Sequence, residues 1–404
     1  MRIAIDYTPA MRQGAGIGRY TRGLVAALAE LDRSNEYVLL AVASAGPKTA
    51  KASAKAPNSQ AGVQAPQARA GLASGTLQKD SLPSNFRLAR VVLPLRLLTI
   101  LWHRLAVPAP AELFTGPVDV FHSTDFVLPP LRRARGLITV HDLAFLRLPE
   151  CAHPGLRSYL SEAVPRSVRR AYHVLADSAN TRQDLLDLLG VPADKISVVP
   201  AGVEARFRPV QNEADLNSVR QRYMLDEPFI LTLGTLEPRK NLVRLIEAHD
   251  RWRQRVPTAP ILVIAGGRGW LYDDILSAAE RHSDGAVRLI GFVGDEDLPA
   301  LYTLARAFAF PSLYEGFGLP PLEAMACGTP VVCSDRPSLP EVVGDAALMV
   351  DAEDIDAWSD ALERVSGDAA LRSELTERGL RQAQRFTWNQ AAQKLLSVYD
   401  AVTQ

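Results

Sequence analysis

Short apolar strands alternate with amphipathic helices along almost the whole chain, and the alternation occurs in two series. The first series runs from the strand Arg2–Asp6 to the strand Ile196–Val199, and the second runs from Phe229–Gly234 to Leu348–Val350. Strands that alternate with helices form parallel sheets covered by helices on both faces. The break between the series, at Pro200–Pro209, therefore predicts two doubly wound α/β domains of similar size.

The position of this break and the helical end of the chain predict the domain boundaries. We expect an N-terminal Rossmann-like domain over residues 1–203 and a C-terminal one over 204–385, facing each other across a cleft. Asp354 to Val402 predicts helix throughout, with a break near Phe386–Trp388, so residues 386–404 should form a terminal helix. Ligands of doubly wound folds bind beyond the carboxyl ends of the strands, which places a small-molecule site in the cleft.

Two segments of the first half depart from the alternation. Residues 44–85 are rich in Ala, Ser, Gln, Lys and Gly with almost no aromatic side chains, which is typical of a disordered insertion or a long loop. The apolar run Leu88–Pro108 is too interrupted by arginines to span a membrane. Its helical spacing predicts an amphipathic helix over Leu95–Ala106, either half-buried on the first domain or lying on an anionic membrane surface.

Composition restricts the partners and the compartment. Lys plus Arg and Asp plus Glu both number 45, so net charge gives no support for a nucleic-acid partner. The three cysteines are few, odd in number and not in metal-ligand spacing, which favours a reducing, cytoplasmic compartment. The N-terminus has the pattern of a strand that opens a domain rather than that of a signal peptide.

The segment Glu315–Glu323 carries the most specific chemical signal, with two carboxylates eight positions apart around Gly-Phe-Gly and Pro-Pro. Glycine permits close approach of the backbone and proline is favoured in the first helical turn, so a loop followed by a helix start is predicted. Free N–H groups at a helix start attract phosphate. Acids on either side of an anion site indicate a ligand with phosphates between hydroxyl-bearing groups, as in a nucleotide sugar. A purely structural turn is the alternative.

Arg239 and Lys240 form a second candidate site, after the strand that ends at Gly234 and before a helix that begins near Asn241. Cations are disfavoured at a helix start, and an anion bound between them would remove the conflict. Arginine and lysine both suit phosphate. The alternative is a solvated basic pair.

The glycine loop Gly14–Gly18 follows the first strand and opens the first helix, but its spacing is not that of a dinucleotide fingerprint. We interpret it as a mobile loop that meets the phosphate or the sugar from the opposite wall, with Arg19 adding charge. His141 and His122 both stand at carboxyl ends of predicted strands. For His141 a functional and a structural role stay equally open, whereas His122 is predicted to be structural.

No metal site is predicted, because no Asp-x-Asp follows a strand in a suitable position and no His/Cys cluster occurs. The charge of a diphosphate would then be met by Arg239, Lys240 and a helix dipole.

Together these residues resemble the retaining glycosyltransferases of family 4, which have the GT-B fold. The resemblance covers nearly the whole chain and is most specific in its second half. It rests on Glu315–Glu323, which is similar to the family's E-x7-E signature, and on the Gly14–Arg19 loop, His141–Asp142, Glu237–Asn241, Pro311–Asp335 and Phe386–Trp388. In that family the terminal helix crosses back onto the first domain.

The resemblance implies a role for each matched residue. Arg239 and Lys240 would hold the donor diphosphate, Glu323 the ribose hydroxyls and Glu315 the hydroxyls of the transferred sugar. His141 would contact that sugar near its O6 or the reacting centre. The remaining donor-binding positions implied are Phe292 and Val293 at the base, and Gly16, Gly234, Gly316, Phe317, Gly318 and Leu319 around the phosphates and sugar.

The expected function is therefore a retaining, metal-independent hexosyltransferase without a cofactor. Its donor would be GDP-mannose or another nucleotide-diphosphate sugar, and its acceptor a saccharide or lipid-linked saccharide in surface polysaccharide synthesis. Peripheral contact with the inner face of the cell membrane is a further expectation. Two alternatives stay open at this point: a GT-B nucleotide-sugar epimerase and a non-catalytic scaffold that binds nucleotide sugar.

Overall fold

The computed structural model describes residues 1–14, 16–43, 82–92, 102, 109–282 and 284–404. These residues form two parallel β-sheets, one in each half of the chain. The predicted class, two doubly wound α/β domains, is confirmed.

The first half contains a seven-stranded sheet. Its strands are β1 (Arg2–Asp6), β2 (Glu36–Ala43), β3 (Phe86–Val92), β4 (Val120–Ser123), β5 (Arg135–Val140), β6 (His173–Ala176) and β7 (Ile196–Val198). All neighbours pair in parallel, in the order β3-β2-β1-β4-β5-β6-β7. Successive side chains of a strand point to opposite faces, so Ile3 and Ile5 pack in one hydrophobic cluster and Ala4 in another. Both faces are covered, which explains the nearly continuous apolar strands.

The helices of this half lie between the strands, as the alternation predicts. They are α1 (Thr8–Arg12), α2 (Ile17–Leu31), α3 (Glu112–Thr115), α4 (Ala144–Arg147), α5 (Pro154–Arg170) and α6 (Ala179–Leu189), with 3-10 turns at Pro149–Cys151 and Ala193–Lys195. The sequence predicts helices over Gly18–Leu31, Gly155–Ala171 and Asn180–Leu189, and the corresponding helices α2, α5 and α6 each begin one residue earlier. At α6 the reason is the cap, because Ser178 accepts a hydrogen bond from the Thr181 N–H.

The second half contains a six-stranded parallel sheet. Its strands are β8 (Phe229–Leu233), β9 (Ile261–Ala265), β10 (Val287–Gly291), β11 (Ala307–Phe310), β12 (Val331–Ser334) and β13 (Ala347–Val350). Their order is β10-β9-β8-β11-β12-β13. The helices are α7 (Glu213–Tyr223), α8 (Leu242–Arg255), α9 (Asp273–Glu280), α10 (Leu298–Leu304), α11 (Leu319–Ala326), α12 (Leu339–Val343), α13 (Ile355–Gly367), α14 (Ala369–Ala383) and α15 (Trp388–Thr403), with a 3-10 turn at Pro238–Lys240.

The terminal helix α15 packs back on α2 of the first half. Two glycines make this close approach possible: a Cβ atom on Gly23 would lie 2.2 Å from the Trp388 ring, and one on Gly202 would lie 2.2 Å from the Trp388 nitrogen. The Val203 N–H donates to the Phe386 carbonyl at 3.0 Å. The two points at which the chain passes between its halves therefore lie side by side. The boundaries 203/204 and 385/386 themselves stay a prediction.

The prediction of continuous helix from Asp354 to the break near Phe386 is wrong, because Asp368 separates α13 from α14. Its carboxylate accepts a hydrogen bond from the Leu371 N–H and caps α14. The predicted break near Phe386–Trp388 is confirmed, since it lies between α14 and α15.

The region after residue 81 also differs from the prediction. Residues 82–92 are ordered: Asn85 donates to the Asp32 and Asn35 carbonyls, and Phe86–Val92 forms the edge strand β3. Parallel pairing with β2 defines this strand, because its burial pattern does not alternate strictly. Residues 82–85, predicted as the end of the insertion, therefore have a defined structure. Residues 44–81 lie outside the described residues, as does the predicted helix Leu95–Ala106 apart from Trp102. Within the described ranges, no helix combines the length and apolar character needed to cross a bilayer.

Candidate active site

Glu315 lies in the loop between β11 and α11, and its carboxylate is held by two cations from the connection between β8 and α8. Lys240 Nζ donates to Glu315 Oε1 at 2.6 Å, and Arg239 Nη1 lies 2.9 Å from Glu315 Oε2. All three side chains are largely buried. Since β8 and β11 are neighbours, the loops at their carboxyl ends meet, as expected for a site in a doubly wound sheet.

The charges of this cluster stabilise one another. Burial alone would raise the pKa of Glu315, but Arg239 and Lys240 lower it to about 2. Glu315 is therefore ionised at neutral pH. The electrostatic conflict predicted for Arg239 and Lys240 near a helix start is relieved in the structure by this internal carboxylate.

The backbone around the two cations is fixed by Asn241. This residue has a positive φ of 55° and its side-chain amide donates to the carbonyls of Pro311 and Ala352. A Cβ atom on Gly234 would lie 3.3 Å from Lys240 Cε, so the glycine makes room for the lysine stem. Gly234 thus contributes to the site through Lys240.

The predicted loop followed by a helix start is confirmed at Gly318, which directly precedes α11. Gly318 has a φ of 120°, a conformation that favours glycine, and prolines occupy the first turn after Leu319. The Phe317 ring is buried, with its centroid 5.7 Å from that of Phe386. Phe317 can therefore offer only its backbone N–H to a ligand at this helix end.

Gly316 lies directly against the first half of the molecule. A Cβ atom there would be 1.9 Å from the His141 carbonyl oxygen, which no side chain permits. Thr181 Oγ1 donates to the same carbonyl at 3.2 Å. The structure therefore brings His141, predicted from the first half, to the loop that carries Glu315.

Both ring nitrogens of His141 are engaged within the protein. Nδ1 lies 2.6 Å from Asp177 Oδ2, and Nε2 lies 2.9 Å from the Thr124 carbonyl oxygen. A carbonyl only accepts hydrogen bonds, so Nε2 carries a proton, and the carboxylate favours a second proton on Nδ1. Burial alone would lower the pKa of His141, but Asp177 raises it to about 9. His141 thus brings a positive charge to the site rather than a free ring nitrogen.

Glu323, the second acid of the segment, is engaged by the first half of the molecule. Its Oε1 accepts from Arg19 Nη1 at 2.6 Å, and its Oε2 accepts from the Tyr302 hydroxyl at 3.0 Å. Arg19 Nη2 also donates to Asp295 Oδ1 at 2.8 Å. The predicted contribution of Arg19 to a phosphate site is therefore not seen, because two carboxylates bind its guanidinium.

The predicted base and loop residues divide into exposed and buried ones. Phe292 is 57% exposed, whereas the Val293 side chain is buried in the hydrophobic core, so that only its backbone is left to contact a base. A Cβ atom on Gly14 would lie 3.8 Å from the tip of the Phe292 ring, so Gly14 lies across from this aromatic side chain. Gly16, with a φ of 50°, precedes α2, and space is open where its side chain would be.

Sequence analysis missed several groups that position the site. The Tyr314 hydroxyl donates to Asp184 Oδ2 at 2.6 Å and accepts from the Leu143 N–H, which ties the Glu315 loop to the first half. Arg147 Nε donates to the same Asp184. Asp177 was also missed, although it directly follows β6, and a carboxylate at a strand end is a usable signal.

His122 is structural, as predicted. Its ring nitrogens lie 2.8 Å from the Tyr399 and Thr139 hydroxyls, and the side chain is fully buried. Burial lowers the pKa of His122 to about 3, so the ring is neutral at physiological pH.

Comparison with known proteins identifies the family. The model for "Glycosyltransferase Family 4" matches residues 14–207, and that for "Glycosyl transferases group 1" matches residues 217–382. O-antigen chain mannosyltransferase B of Escherichia coli is 39% identical over 287 residues, which cover 69% of this chain and 74% of that protein. The chain belongs to the family 4 glycosyltransferases. This confirms the resemblance drawn from the sequence.

One further relative agrees with this assignment, and a solved structure shows the fold. The serotype-specific mannosyltransferase WbdA of Escherichia coli is 34% identical over 230 residues, 55% of this glycosyltransferase but only 28% of that longer protein. Sucrose-phosphate synthase from Thermosynechococcus elongatus superposes with a TM-score of 0.71 at 21% identity, covering 100% of this chain and 99% of that one. The glycosyltransferase therefore has the predicted GT-B fold, two Rossmann-like domains.

Proposed function

We propose that this glycosyltransferase transfers mannose from GDP-mannose to a saccharide or lipid-linked saccharide during surface polysaccharide synthesis, with retention of anomeric configuration. The observation that carries the proposal is the Glu315–Arg239–Lys240 cluster, held against His141 of the opposite half. Mannose and the polysaccharide are suggested by the relatives, one of which is an O-antigen chain mannosyltransferase.

The cluster suits departure of a diphosphate. Negative charge grows on the leaving phosphate as the sugar acquires oxocarbenium character, and fixed cations placed there lower the barrier. Arg239 and Lys240 supply those cations. When the diphosphate binds them, Glu315 is released to accept hydrogen bonds from the sugar hydroxyls.

Retention is proposed to follow from attack on the face that the diphosphate leaves. The acceptor hydroxyl forms the new bond to the anomeric carbon, the bond to the phosphate oxygen breaks, and that phosphate takes the acceptor's proton. No enzyme nucleophile is required. Contacts between the halves, such as Gly316 against His141, would exclude water from the cleft and limit hydrolysis.

We also propose that transfer needs neither a metal nor another cofactor, because Arg239 and Lys240 can carry the diphosphate charge. The described part of the chain holds no group of three or more His, Cys, Asp or Glu suited to a metal ion. Retained activity in EDTA is the expected result, and rescue by Mg²⁺ or Mn²⁺ would contradict it.

Peripheral contact with the inner face of the cell membrane belongs to the same proposal, since a lipid-linked acceptor would be found there. The test is flotation with anionic liposomes. Failure of the full-length protein to float with them would count against the contact.

A donor screen tests the central proposal. The protein is incubated with GDP-mannose, UDP-glucose or UDP-N-acetylglucosamine, with and without a mannose-containing oligosaccharide, and products are analysed by mass and by the anomeric NMR signal. We expect GDP release and an α-linked mannosyl product only with acceptor. Release of UDP alone would refute mannose as the donor sugar, and conversion of the donor without acceptor would indicate an epimerase.

A further inference from the structure

We infer that Arg19 occupies the place of the donor ribose at Glu323 and is exchanged for the ribose hydroxyls when the nucleotide binds. The inference rests on the proposed function, because it takes the ribose-binding role of Glu323 from it. Arg19 then becomes a positioning residue that links nucleotide binding to the contact between the two domains.

The contact engages both oxygens of Glu323 and both terminal nitrogens of the Arg19 guanidinium, whereas Arg19 Nε is buried without a hydrogen-bond partner. Each oxygen of Glu323 accepts a hydrogen bond, one from Arg19 and one from Tyr302. Two nitrogens of the Arg19 guanidinium donate to carboxylates, and its Cζ lies 5.5 Å from the centre of the Phe207 ring. The pair therefore has the features of a built site rather than of a chance surface contact.

The ribose could either join Arg19 on Glu323 or replace it, and the burial of the two side chains favours replacement. A carboxylate can accept about four hydrogen bonds, so its acceptor capacity alone would allow ribose to join Arg19. However, the Glu323 side chain is only 3% exposed and that of Arg19 only 8%. No open face is left on the carboxylate through which two ribose hydroxyls could approach. The nucleotide can reach Glu323 only after Arg19 moves away.

Moving Arg19 away changes the relation between the halves. Arg19 lies on α2, whereas Glu323 lies on α11 and Asp295 precedes α10. Another contact between the halves involves no predicted donor ligand: the Glu341 carboxylate accepts from the Ala179 and Asn180 N–H groups, both at 2.8 Å. The Arg19 contact, by contrast, uses the predicted ribose ligand, so ribose and domain contact compete for one carboxylate. Such competition is a coupling free energy between two binding events.

Exchange and a supporting role for Arg19 predict opposite changes in ribonucleotide affinity when Arg19 is removed. If Arg19 competes with ribose, its removal strengthens binding of a ribonucleotide. If Arg19 stays on Glu323 and helps to hold the ribose, its removal weakens binding. A nucleotide without ribose hydroxyls cannot donate hydrogen bonds to Glu323 and leaves Arg19 in place. Its affinity therefore serves as the internal reference.

The experiment measures the affinities of GDP and of 2′,3′-dideoxyguanosine diphosphate by calorimetry for wild type, Arg19→Ala and Arg19→Gln. We expect the ratio of GDP affinity to dideoxy affinity to rise about tenfold in both variants, within the usual range of such couplings. The ratio does not depend on the folded fraction, so partial loss of folding cannot imitate the result. The matched control is Arg255→Gln, since Arg255 also binds two carboxylates, Asp360 and Glu363, and its ratio should not change.

The outcomes separate the two proposals. If wild type binds GDP but the ratio stays the same or falls in the Arg19 variants, the exchange is wrong and the proposed donor stands. If wild type binds UDP and not GDP, the proposed donor is wrong, and the same ratio measured with UDP and its dideoxy form tests the exchange. If neither nucleotide binds, the proposed function is wrong and the exchange is wrong with it.

Discussion

The two acids of one nine-residue segment are equivalent in sequence but differ in how the molecule holds them. Glu315 pairs with Arg239 and Lys240, which come from its own half of the chain. Glu323 pairs with Arg19, which comes from the other half. A cluster within one domain persists however the domains are arranged, whereas a pair between domains exists only while they are together. The Glu315 end is therefore a permanent part of the site, and the Glu323 end depends on the domain arrangement.

The pKa values of Glu315 and Glu323 also differ, because the two carboxylates have different cationic partners. Two cations outweigh burial at Glu315 and lower its pKa to about 2. At Glu323 burial outweighs the pull of Arg19 and raises the pKa above the ordinary value of a glutamate. Arg19 is also shared with Asp295, so Glu323 does not have its full charge. One acid is firmly ionised, and the other holds its charge less strongly.

Lys240→Ala tests the Glu315 cluster, which lies within one half of the chain, and should have the largest effect. Removing one of two cations at the leaving diphosphate is expected to lower kcat/KM for mannosyl transfer by about 10³-fold. It also leaves Glu315 with one partner. Steady-state kinetics with GDP-mannose measure the loss. Lys394→Ala, at an exposed lysine on α15, is the control and should keep full activity. A loss in Lys240→Ala smaller than about fivefold would show that the cluster does not serve the diphosphate.

Gly316→Ala tests how far the site depends on contact between the two halves. A Cβ atom at Gly316 would lie 1.9 Å from the His141 carbonyl, so the halves must separate. We expect kcat/KM to fall by about 10²-fold, because a misplacement of about 1 Å can cost that much. GDP affinity should not fall, since Arg239 and Lys240 lie on the same half as Glu323 and separation also takes Arg19 away from Glu323. The matched control is Gly367→Ala, where the added methyl group meets no atom within 4 Å. Loss of GDP binding in Gly316→Ala would contradict the claim that the Glu315 cluster does not depend on the domain arrangement.

The comparison also shows how far sequence alone could go. Strand and helix periodicity predicted both sheets, because each domain has a core that its own residues specify. The start of α11 was predictable from Gly318 and the prolines, since those residue types restrict the backbone locally.

Contacts between the halves were not predictable, because they depend on tertiary arrangement rather than on local pattern. Arg19 was assigned to phosphate, yet it lies between Glu323 and Asp295, more than 270 positions away in the chain. Tyr314 with Asp184 was missed for the same reason. The strand β3 was missed because it is an edge strand with charged, outward-facing Arg87 and Arg90.

Asp177→Asn sharpens the comparison from the side of His141, whose carbonyl meets the Glu315 loop. Asp177 raises the pKa of His141 from 6.5 to about 9, so His141 binds its proton more tightly in the folded state. This stabilisation is fully present below about pH 6.5 and is lost as the pH rises through about 9. A shift of this size corresponds to roughly 3–4 kcal/mol. The asparagine variant lacks the carboxylate and should not show this loss.

Urea unfolding of wild type and Asp177→Asn at a series of pH values from 6 to 10 measures the difference. The two free energies of unfolding should differ most at low pH and converge as the pH rises through about 9. Transfer activity should fall on the order of tenfold in the variant at pH 7, since the site loses a positive charge. Parallel pH profiles for the two proteins would show that His141 is not held as the cation.

Tyr399→Phe should have the smallest effect, because it breaks a contact of the terminal helix with the first half that serves no predicted ligand. The Tyr399 hydroxyl lies 2.8 Å from His122 Nδ1, and removing it leaves a buried ring nitrogen without that partner. We expect a loss of about 1 kcal/mol in the free energy of unfolding and kcat/KM within about twofold of wild type. Tyr37→Phe is the matched control, since it removes a buried hydroxyl bonded to the Asp32 carboxylate at 2.6 Å and should cost slightly more stability because that partner is charged. A tenfold fall in kcat/KM for Tyr399→Phe alone would place His122 in the active site with His141 and would show that the helix contact, too, takes part in catalysis.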